Sequence, residues 1–245
     1  MLLFDLILIL MCMVSIKIDK DTDNWLSMSQ TTSIKGIFII IVFLSHVRGY
    51  IINSNVFDYK HTWLMNCLGQ RMVVMFLLYS GYGVMEAIKI KGDSYIKAIP
   101  YKRILNTLIK FDLAVLLYIV VDVIINQGKS SYSLLQIILS FIGWESVGNS
   151  NWYIFAIIFA YLATWIVFAC CKKLPDIVKL SLVTAFCLFY IIVLHMVNKG
   201  TWWYDTILTY PLGMFISLYK KQIKKALGNK YIYLITLLIA TLGAF

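Results

Sequence analysis

Lys35 and His46 enclose ten residues that are apolar except for Ser45. On a helix, their separation places the two side chains ~16 Å apart along the axis and about 20° apart around it. If Lys35 lies at the edge of a bilayer, His46 lies near the middle of its ~30 Å hydrocarbon layer. An ionisable side chain at that depth is costly, which makes His46 a candidate functional residue. The alternative is a histidine that hydrogen-bonds a neighbouring helix.

Two further polar residues, Ser80 and Asp112, are expected at a similar depth. Each lies ~13 Å into its apolar segment, counted along a helix from the nearest basic residue at the segment's end. A carboxylate beside an imidazole fixes its tautomer and raises its basicity, as a general base for a hydroxyl requires. Alternatively, Asp112 pairs with Lys110 or a helix backbone, and Ser80 with Gly81 forms a small packing surface between helices.

The basic residues Lys35 and Arg103 are suited to the phosphates of a nucleotide-bearing cosubstrate, although anionic lipid would attract the same charges. Arg71 could bind a substrate anion or anchor its segment at the headgroups. The five cysteines show no metal-ligand spacing and imply no disulfide framework. The sequence therefore predicts neither a metal nor a bound cofactor.

The composition indicates an all-α, multi-pass membrane protein. Of the 245 residues, 61% are hydrophobic and 14% charged, with a mean hydropathy of +0.81, whereas soluble domains carry roughly 25% charged residues. Apolar runs recur along the whole chain and predict about eight spans. These are expected at 2–17, 35–53, 71–90, 104–125, 152–171, 177–197, 203–219 and 231–245. The connection 54–70 is predicted as a loop, and the apolar piece 134–142 is too short to cross.

The basic residues are concentrated on alternate connections. Of the 22 lysines and arginines, 16 lie within the segments 17–35, 89–103, 172–179 and 220–230. By the positive-inside rule these segments are cytoplasmic, which places the N-terminus outside. Loop topology thus explains most of the net charge of +10 without nucleic acid as a partner. The sequence stops inside the eighth span, as expected for a fragment or a chain truncated at its C-terminus.

Several motifs, in this order, resemble those of the acyltransferase 3 family, the bacterial integral-membrane O-acyltransferases. The first is Lys35-Gly36 followed by His46, where the family usually has Arg-Gly, ten residues and His. The other stretches with family resemblance are 75–83 (Met-Phe-Leu-Leu-Tyr-Ser-Gly-Tyr-Gly), 101–105, 151–153 and 210–214. The resemblance implies an acyltransferase 3-like membrane domain over 33–245, preceded by an extra transmembrane segment and a polar connection over 1–32.

The resemblance implies transfer of an acyl group, commonly acetyl, from cytoplasmic acyl-CoA to a hydroxyl. The acceptor would be a cell-envelope or exported glycan or a lipid-linked sugar. The protein would lie in the bacterial inner membrane, in contact with membrane lipids. The roles that the resemblance implies are general base for His46 and acyl-CoA contact for Lys35. We add Asp112 and Ser80 as further catalytic candidates and Lys102 and Arg103 as further acyl-CoA contacts. The candidates for acceptor binding are Arg71, Tyr79, Trp152 and Tyr153. Lysine at position 35 lacks the bidentate phosphate binding of the family's arginine.

Two other functions remain open from the sequence. A transporter or flippase for a lipid-linked glycan would use the intramembrane charges Lys110, Asp112 and Asp122 along its path. A truncated relative without activity would only bind envelope partners. The sequence predicts no particular oligomeric state.

Overall fold

The computed structural model describes residues 26–48 and 55–242, together with positions 6 and 10. All regular structure in these residues is helical, which confirms the all-α class. The helices are α1 (Met28–Val47), α2 (Val56–Lys91), α3 (Asp93–Ile99), a π-helical segment (Pro100–Leu105), α4 (Asn106–Ile125), α5 (Leu134–Phe141), α6 (Trp152–Cys170), α7 (Asp176–Met196), a 3₁₀ turn (Thr201–Trp203), α8 (Thr209–Leu218), α9 (Lys220–Leu227) and α10 (Lys230–Leu242). The predicted span 2–17 lies outside the described residues.

Among the described residues, four helices are long and apolar enough to cross a membrane: Gln30–Val47 within α1, and α2, α6 and α7. Helix α4 has the length but carries Lys110, Asp112 and Asp122. Helix α8 has 10 residues, or ~15 Å, about half the hydrocarbon thickness. The structure therefore supports a membrane protein with four candidate spans and does not bear out a count of eight.

Helix α2 corrects the predicted loop at 54–70, because the chain is helical from Val56 onwards. Its 36 residues extend ~54 Å, well beyond the ~30 Å that a span requires. Polar residues between Asp58 and Arg71 suggested a loop, but they are distributed among apolar residues that allow the helix to continue.

The chain divides into two compact units, Met1–Tyr79 and Ser80–Phe245. In the first unit, α1 and the N-terminal part of α2 pair as antiparallel helices. Contacts along α1 define the pairing: Phe38 stacks on Tyr79, Ser45 lies against Gly69, and the Arg48 guanidinium donates a hydrogen bond to Asn66. A Cβ atom at Gly69 would lie 2.9 Å from the Ser45 Cβ, so glycine permits this approach.

In the second unit, α6 packs against α7, α3, α4 and the π-helical segment. Its buried face carries the small residues Ala156, Ala160, Ala163 and Thr164. Small side chains let neighbouring helices approach closely, which is how helices associate where no water is displaced. Helix α6 is therefore the common neighbour of the elements that form the site described below.

A close helix contact in the second unit involves Gly81 of α2 and Tyr210 of α8. A Cβ atom at Gly81 would lie 2.0 Å from the Tyr210 carbonyl oxygen and 3.3 Å from the Met214 nitrogen. Both are backbone atoms, which cannot move aside as the end of a flexible side chain can. The Ser80-Gly81 pair thus provides the small packing surface considered from the sequence.

Three of the basic connections meet at one end of the second unit, which we call the basic end (residues 89–93, 171–175 and 217–220). Lys172 Nζ lies 2.7 Å from Asp93 Oδ2, and this hydrogen bond holds the pKa of the Asp93 carboxyl below its usual value. Lys89 Nζ donates to the Ser217 carbonyl at 2.7 Å. The structure thus groups connections that the charge count assigned to one side.

At the other end of α6, Lys199 joins the connection after α5 to the one after α7. Its ammonium donates to the Trp144 carbonyl at 2.8 Å and lies 4.3 Å from the Trp144 ring centroid and 4.5 Å from that of Trp203. Both connections were assigned to the opposite side by the charge count. Contacts within the second unit therefore agree with the alternation of loops derived from the sequence.

We predict that Gly81→Ala destabilises the protein by about 1–3 kcal/mol, because the added methyl overlaps the backbone of α8. Gly83→Ala is the matched control: it lies in the same helix, and a Cβ there meets nothing within 4 Å. Thermal unfolding in detergent measures both. Equal stability of the two variants would contradict the described approach of α2 and α8.

We further predict that the two ends of the second unit face opposite sides of the membrane. In a variant with its cysteines replaced, Lys173→Cys and Lys129→Cys place single exposed thiols at the two ends. A membrane-impermeant maleimide should label one of them in intact cells and both after lysis. Labelling of both in intact cells would contradict this topology.

Candidate active site

A half-buried arginine without a carboxylate partner forms the centre of the polar site in the second unit. Arg103 Nε donates to the Tyr95 hydroxyl at 2.8 Å. Its guanidinium carbon lies 5.9 Å from the ring centroids of both Tyr95 and Tyr161, a cation–π arrangement. Within the described part of the chain, no carboxylate forms an ion pair with Arg103.

The local backbone explains why adjacent basic residues have different environments. Arg103 and Lys102 lie on the π-helical segment that starts at Pro100. Short π-helical turns inside helices frequently occur at functional sites. On this segment Lys102 is exposed, whereas Arg103 is half-buried and contacts α3 and α6 through Tyr95 and Tyr161.

Ser80 connects two of the tyrosines. Its hydroxyl lies near the hydroxyls of Tyr153 and Tyr161, and the Tyr161 hydroxyl lies near the Arg103 side chain. Three residues predicted separately from the sequence, Ser80, Arg103 and Tyr153, therefore meet in one place. Tyr161 joins them and was not identified as a site residue from the sequence.

A further tyrosine, Tyr210 of α8, lies beside this group and is fully buried. Its ring centroid is 6.0 Å from that of Tyr161, and its hydroxyl lies 3.0 Å from Thr164 Oγ1. We call Tyr95, Tyr153, Tyr161 and Tyr210 the tyrosine cluster. Its members come from α3, α6 and α8, so neither their spacing in the sequence nor a shared helix face reveals it.

The depth of Arg103 differs from the sequence-based expectation. Tyr161 lies nine residues from each end of α6, which is ~14 Å along the helix axis. Because Arg103 contacts Tyr161, its guanidinium lies beside the middle of a candidate span. From the sequence, Arg103 was expected at the end of its apolar segment; its side chain contacts a residue that lies nine positions from either end of α6. A cation at this depth is a functional-site candidate.

In the first unit, the structure brings together Lys35 and Tyr79. The Lys35 ammonium lies 5.7 Å from the centroid of the Tyr79 ring, and the Tyr79 side chain is buried. The sequence had assigned these residues to acyl-CoA and acceptor binding, respectively. Their contact is a cation–π interaction between α1 and α2.

His46 lies in the last turn of α1, and its side chain is exposed. Its neighbour Ser45 packs on Gly69, two residues before the start of the predicted span 71–90. Lys35, in contact with Tyr79, lies further into that span. Within the first unit, the pairing of α1 with α2 places Lys35 beside Tyr79, and Ser45, the neighbour of His46, beside Gly69.

Asp112 is half-buried on α4, and its Oδ1 atom has no hydrogen-bond partner among the described residues. It forms no ion pair with Lys110, which is exposed, so the alternative in which those two residues pair is not supported. Trp152 contacts the neighbouring Tyr153 ring at a centroid distance of 6.3 Å. In the described ranges, no three His, Cys, Asp or Glu side chains converge as metal ligands would.

Asp122, the third charge of the hypothetical transport path, has a structural role. Its carboxylate accepts hydrogen bonds from the Ser131 backbone N–H at 2.9 Å, the Ser130 hydroxyl at 3.1 Å and the Asn126 amide at 2.7 Å. It thereby holds the turn that follows α4. Engagement of Asp122 in this turn removes one of the three residues on which the transporter hypothesis depended.

Comparison with known families gives one match: the model of the acyltransferase domain family (acyltransferase 3) matches residues 32–245. The match includes Lys35, His46, Ser80 and Arg103. It confirms the resemblance drawn from the ordered motifs. No curated protein and no solved structure is significantly similar to the chain.

We predict energetic coupling within the site. Because the Ser80 and Tyr161 side chains interact, the effects of Ser80→Ala and Tyr161→Phe on the free energy of unfolding should be non-additive by at least about 0.5 kcal/mol. Tyr190→Phe serves as the control, since the Tyr190 hydroxyl donates to the Trp203 carbonyl outside the cluster. Its effect should add to that of Tyr161→Phe within about 0.5 kcal/mol. Additivity of the first pair would contradict the described contact.

Proposed function

Because the chain belongs to the acyltransferase 3 family, we propose that it is an integral-membrane O-acyltransferase. The reaction transfers an acyl group, acetyl in the simplest case, from cytoplasmic acyl-CoA to a hydroxyl of a cell-envelope or exported glycan. The single observation that carries this proposal is the family match over residues 32–245 of the 245-residue chain. The polar site around Arg103 supports it, since it supplies hydrogen-bond donors inside an otherwise apolar helix bundle.

The basic end of the second unit is suited to the nucleotide part of acyl-CoA. Lys172 is exposed there and retains half of its side-chain surface despite its ion pair with Asp93, and Lys102 is exposed on the π-helical segment. Solvated ammonium groups attract phosphates without the cost of burying charge. In the proposed orientation this end faces the cytoplasm, where acyl-CoA is available, and the N-terminus is outside.

His46 is the proposed general base. Its exposed imidazole is open to an acceptor hydroxyl, from which it takes a proton as the hydroxyl oxygen attacks the thioester carbonyl carbon. The carbon–sulfur bond then breaks, and the CoA thiolate takes up a proton. An ester on the acceptor and free CoA are the products.

The acceptor is proposed to approach from the end of α6 opposite the basic end. Trp152 and Tyr153 begin α6 there, with their rings in edge-to-face contact. Indole and phenol rings combine an apolar face with a hydrogen-bonding group, a suitable surface for a sugar. Arg71 and Tyr79 are further proposed acceptor contacts, and Asp112 remains a catalytic candidate because its Oδ1 is unbonded among the described residues.

We predict that His46→Ala lowers acyl transfer by ~10²–10⁴-fold, the usual contribution of a general base. Membranes containing each variant are incubated with radiolabelled acetyl-CoA, and ester-linked label in the glycan fraction is counted. His195→Ala is the matched control: His195 is also an exposed histidine near the end of an apolar helix, where it contacts Tyr204. Its activity should equal that of the wild type.

Full activity of His46→Ala would overturn the assignment of the base. A folded wild-type protein that neither binds CoA nor transfers acetyl would instead indicate a relative without activity. Substrate movement without acyl-CoA would indicate a transporter.

A further inference from the structure

We propose that Arg103 binds the thioester carbonyl oxygen of acyl-CoA and stabilises the negative charge that develops there during transfer. This inference rests on the proposed function and deepens it, since it assigns Arg103 to the reacting carbonyl and not to the nucleotide phosphates. Ser80 and Tyr161 become positioning residues that act through Arg103.

The guanidinium has hydrogen-bonding capacity to spare. Arginine carries five N–H donors in a planar fork. Among the described residues its hydrogen bond goes to the neutral Tyr95 hydroxyl, its contact with Tyr161 is a cation–π interaction, and no carboxylate pairs with it. Arg103 is also only half-buried, so a ligand can reach it. The site therefore has a positive charge and free donors, as an anionic oxygen requires.

The depth and the single charge of Arg103 together favour a carbonyl oxygen over a phosphate as its ligand. The phosphates of CoA carry several negative charges, and one cation beside the middle of α6 would leave most of that charge uncompensated in an apolar medium. The exposed lysines of the basic end can meet these charges in water. A single charge that forms only in the transition state matches a single buried cation.

The tyrosine cluster holds the guanidinium in place. Tyr95 accepts the Nε–H hydrogen bond, and the Tyr95 and Tyr161 rings flank the guanidinium at 5.9 Å. The Ser80 hydroxyl lies near the hydroxyls of both Tyr153 and Tyr161, so it adds a polar contact that helps to position these phenols. Donors fixed before the reaction need no reorganisation when charge develops, which is the source of their catalytic effect.

Atoms, electrons and protons are all accounted for in the proposed step. The acceptor oxygen forms a bond to the carbonyl carbon, and the carbonyl π electrons move to its oxygen, which Arg103 binds. When the carbonyl re-forms, the carbon–sulfur bond breaks and its electron pair leaves with the CoA sulfur. The proton lost by the acceptor hydroxyl ends on that sulfur.

The test separates turnover from binding. Arg103→Gln and Arg103→Lys are compared with the wild type for kcat and KM of acetyl-CoA, measured as thiol release in membranes, and for the Kd of CoA. Both variants should lower kcat, Arg103→Gln by ~10²–10³-fold, and change the Kd of CoA by less than about threefold. Lys102→Gln is the neighbouring control: it should raise KM and Kd and leave kcat intact.

A truncated donor, acetyl-pantetheine, provides the second readout. It lacks the nucleotide, so the penalty of Lys102→Gln should vanish and that of Arg103→Gln should persist. An unchanged kcat with a raised Kd of CoA, or an Arg103→Gln penalty that disappears with acetyl-pantetheine, would overturn the inference. If Arg103→Gln fails to fold, as judged by thermal unfolding, the kcat of Arg103→Lys tests the inference instead.

An inactive wild type would refute the proposed function. An active wild type in which substitution of Arg103 changes only KM would refute this inference and leave the proposed function standing.

Discussion

The structure of the second unit depends on one constraint: a guanidinium lies beside the middle of an apolar helix, and no carboxylate among the described residues neutralises it. A charge in such a place is costly unless its surroundings solvate it. Hydroxyls and aromatic faces from several helices supply this solvation, through Tyr95 on α3 and Tyr161 on α6. They lower the cost of burial yet leave the charge available, whereas a carboxylate would cancel it.

Close helix packing makes this arrangement possible. Gly81 lets the backbone of α2 approach that of Tyr210, and the adjacent Ser80 is thereby held near Tyr153 and Tyr161. The alanine-rich face of α6 has the same effect for its other neighbours. One short motif, Ser80-Gly81, thus combines packing and polar contacts. The two interpretations weighed from the sequence are compatible, because glycine provides the space in which the serine makes its polar contacts.

The motifs and composition predicted the class of fold, the family and several members of the site, but not their arrangement. Ser80 was identified from its expected depth, Arg103 from its charge, and Tyr153 from its place in a stretch that resembles the family. Tyr161 was not, because one tyrosine in an apolar helix has no distinguishing spacing. The predicted loop at 54–70 was wrong because local polarity was given more weight than the ability of scattered polar residues to continue a helix.

By itself, the sequence determined what depends on local chemistry. The length of the apolar segments indicated helices suited to a membrane, and the distribution of lysine and arginine indicated the alternation of the loops. The order of the motifs indicated the family. Tertiary structure alone decided depth and contact. It placed Arg103 beside the middle of α6, paired Lys35 with Tyr79, and left His46 exposed. The physical reason is that depth is set by how helices slide and pack against one another, and a count of residues along one helix contains no information about its neighbour.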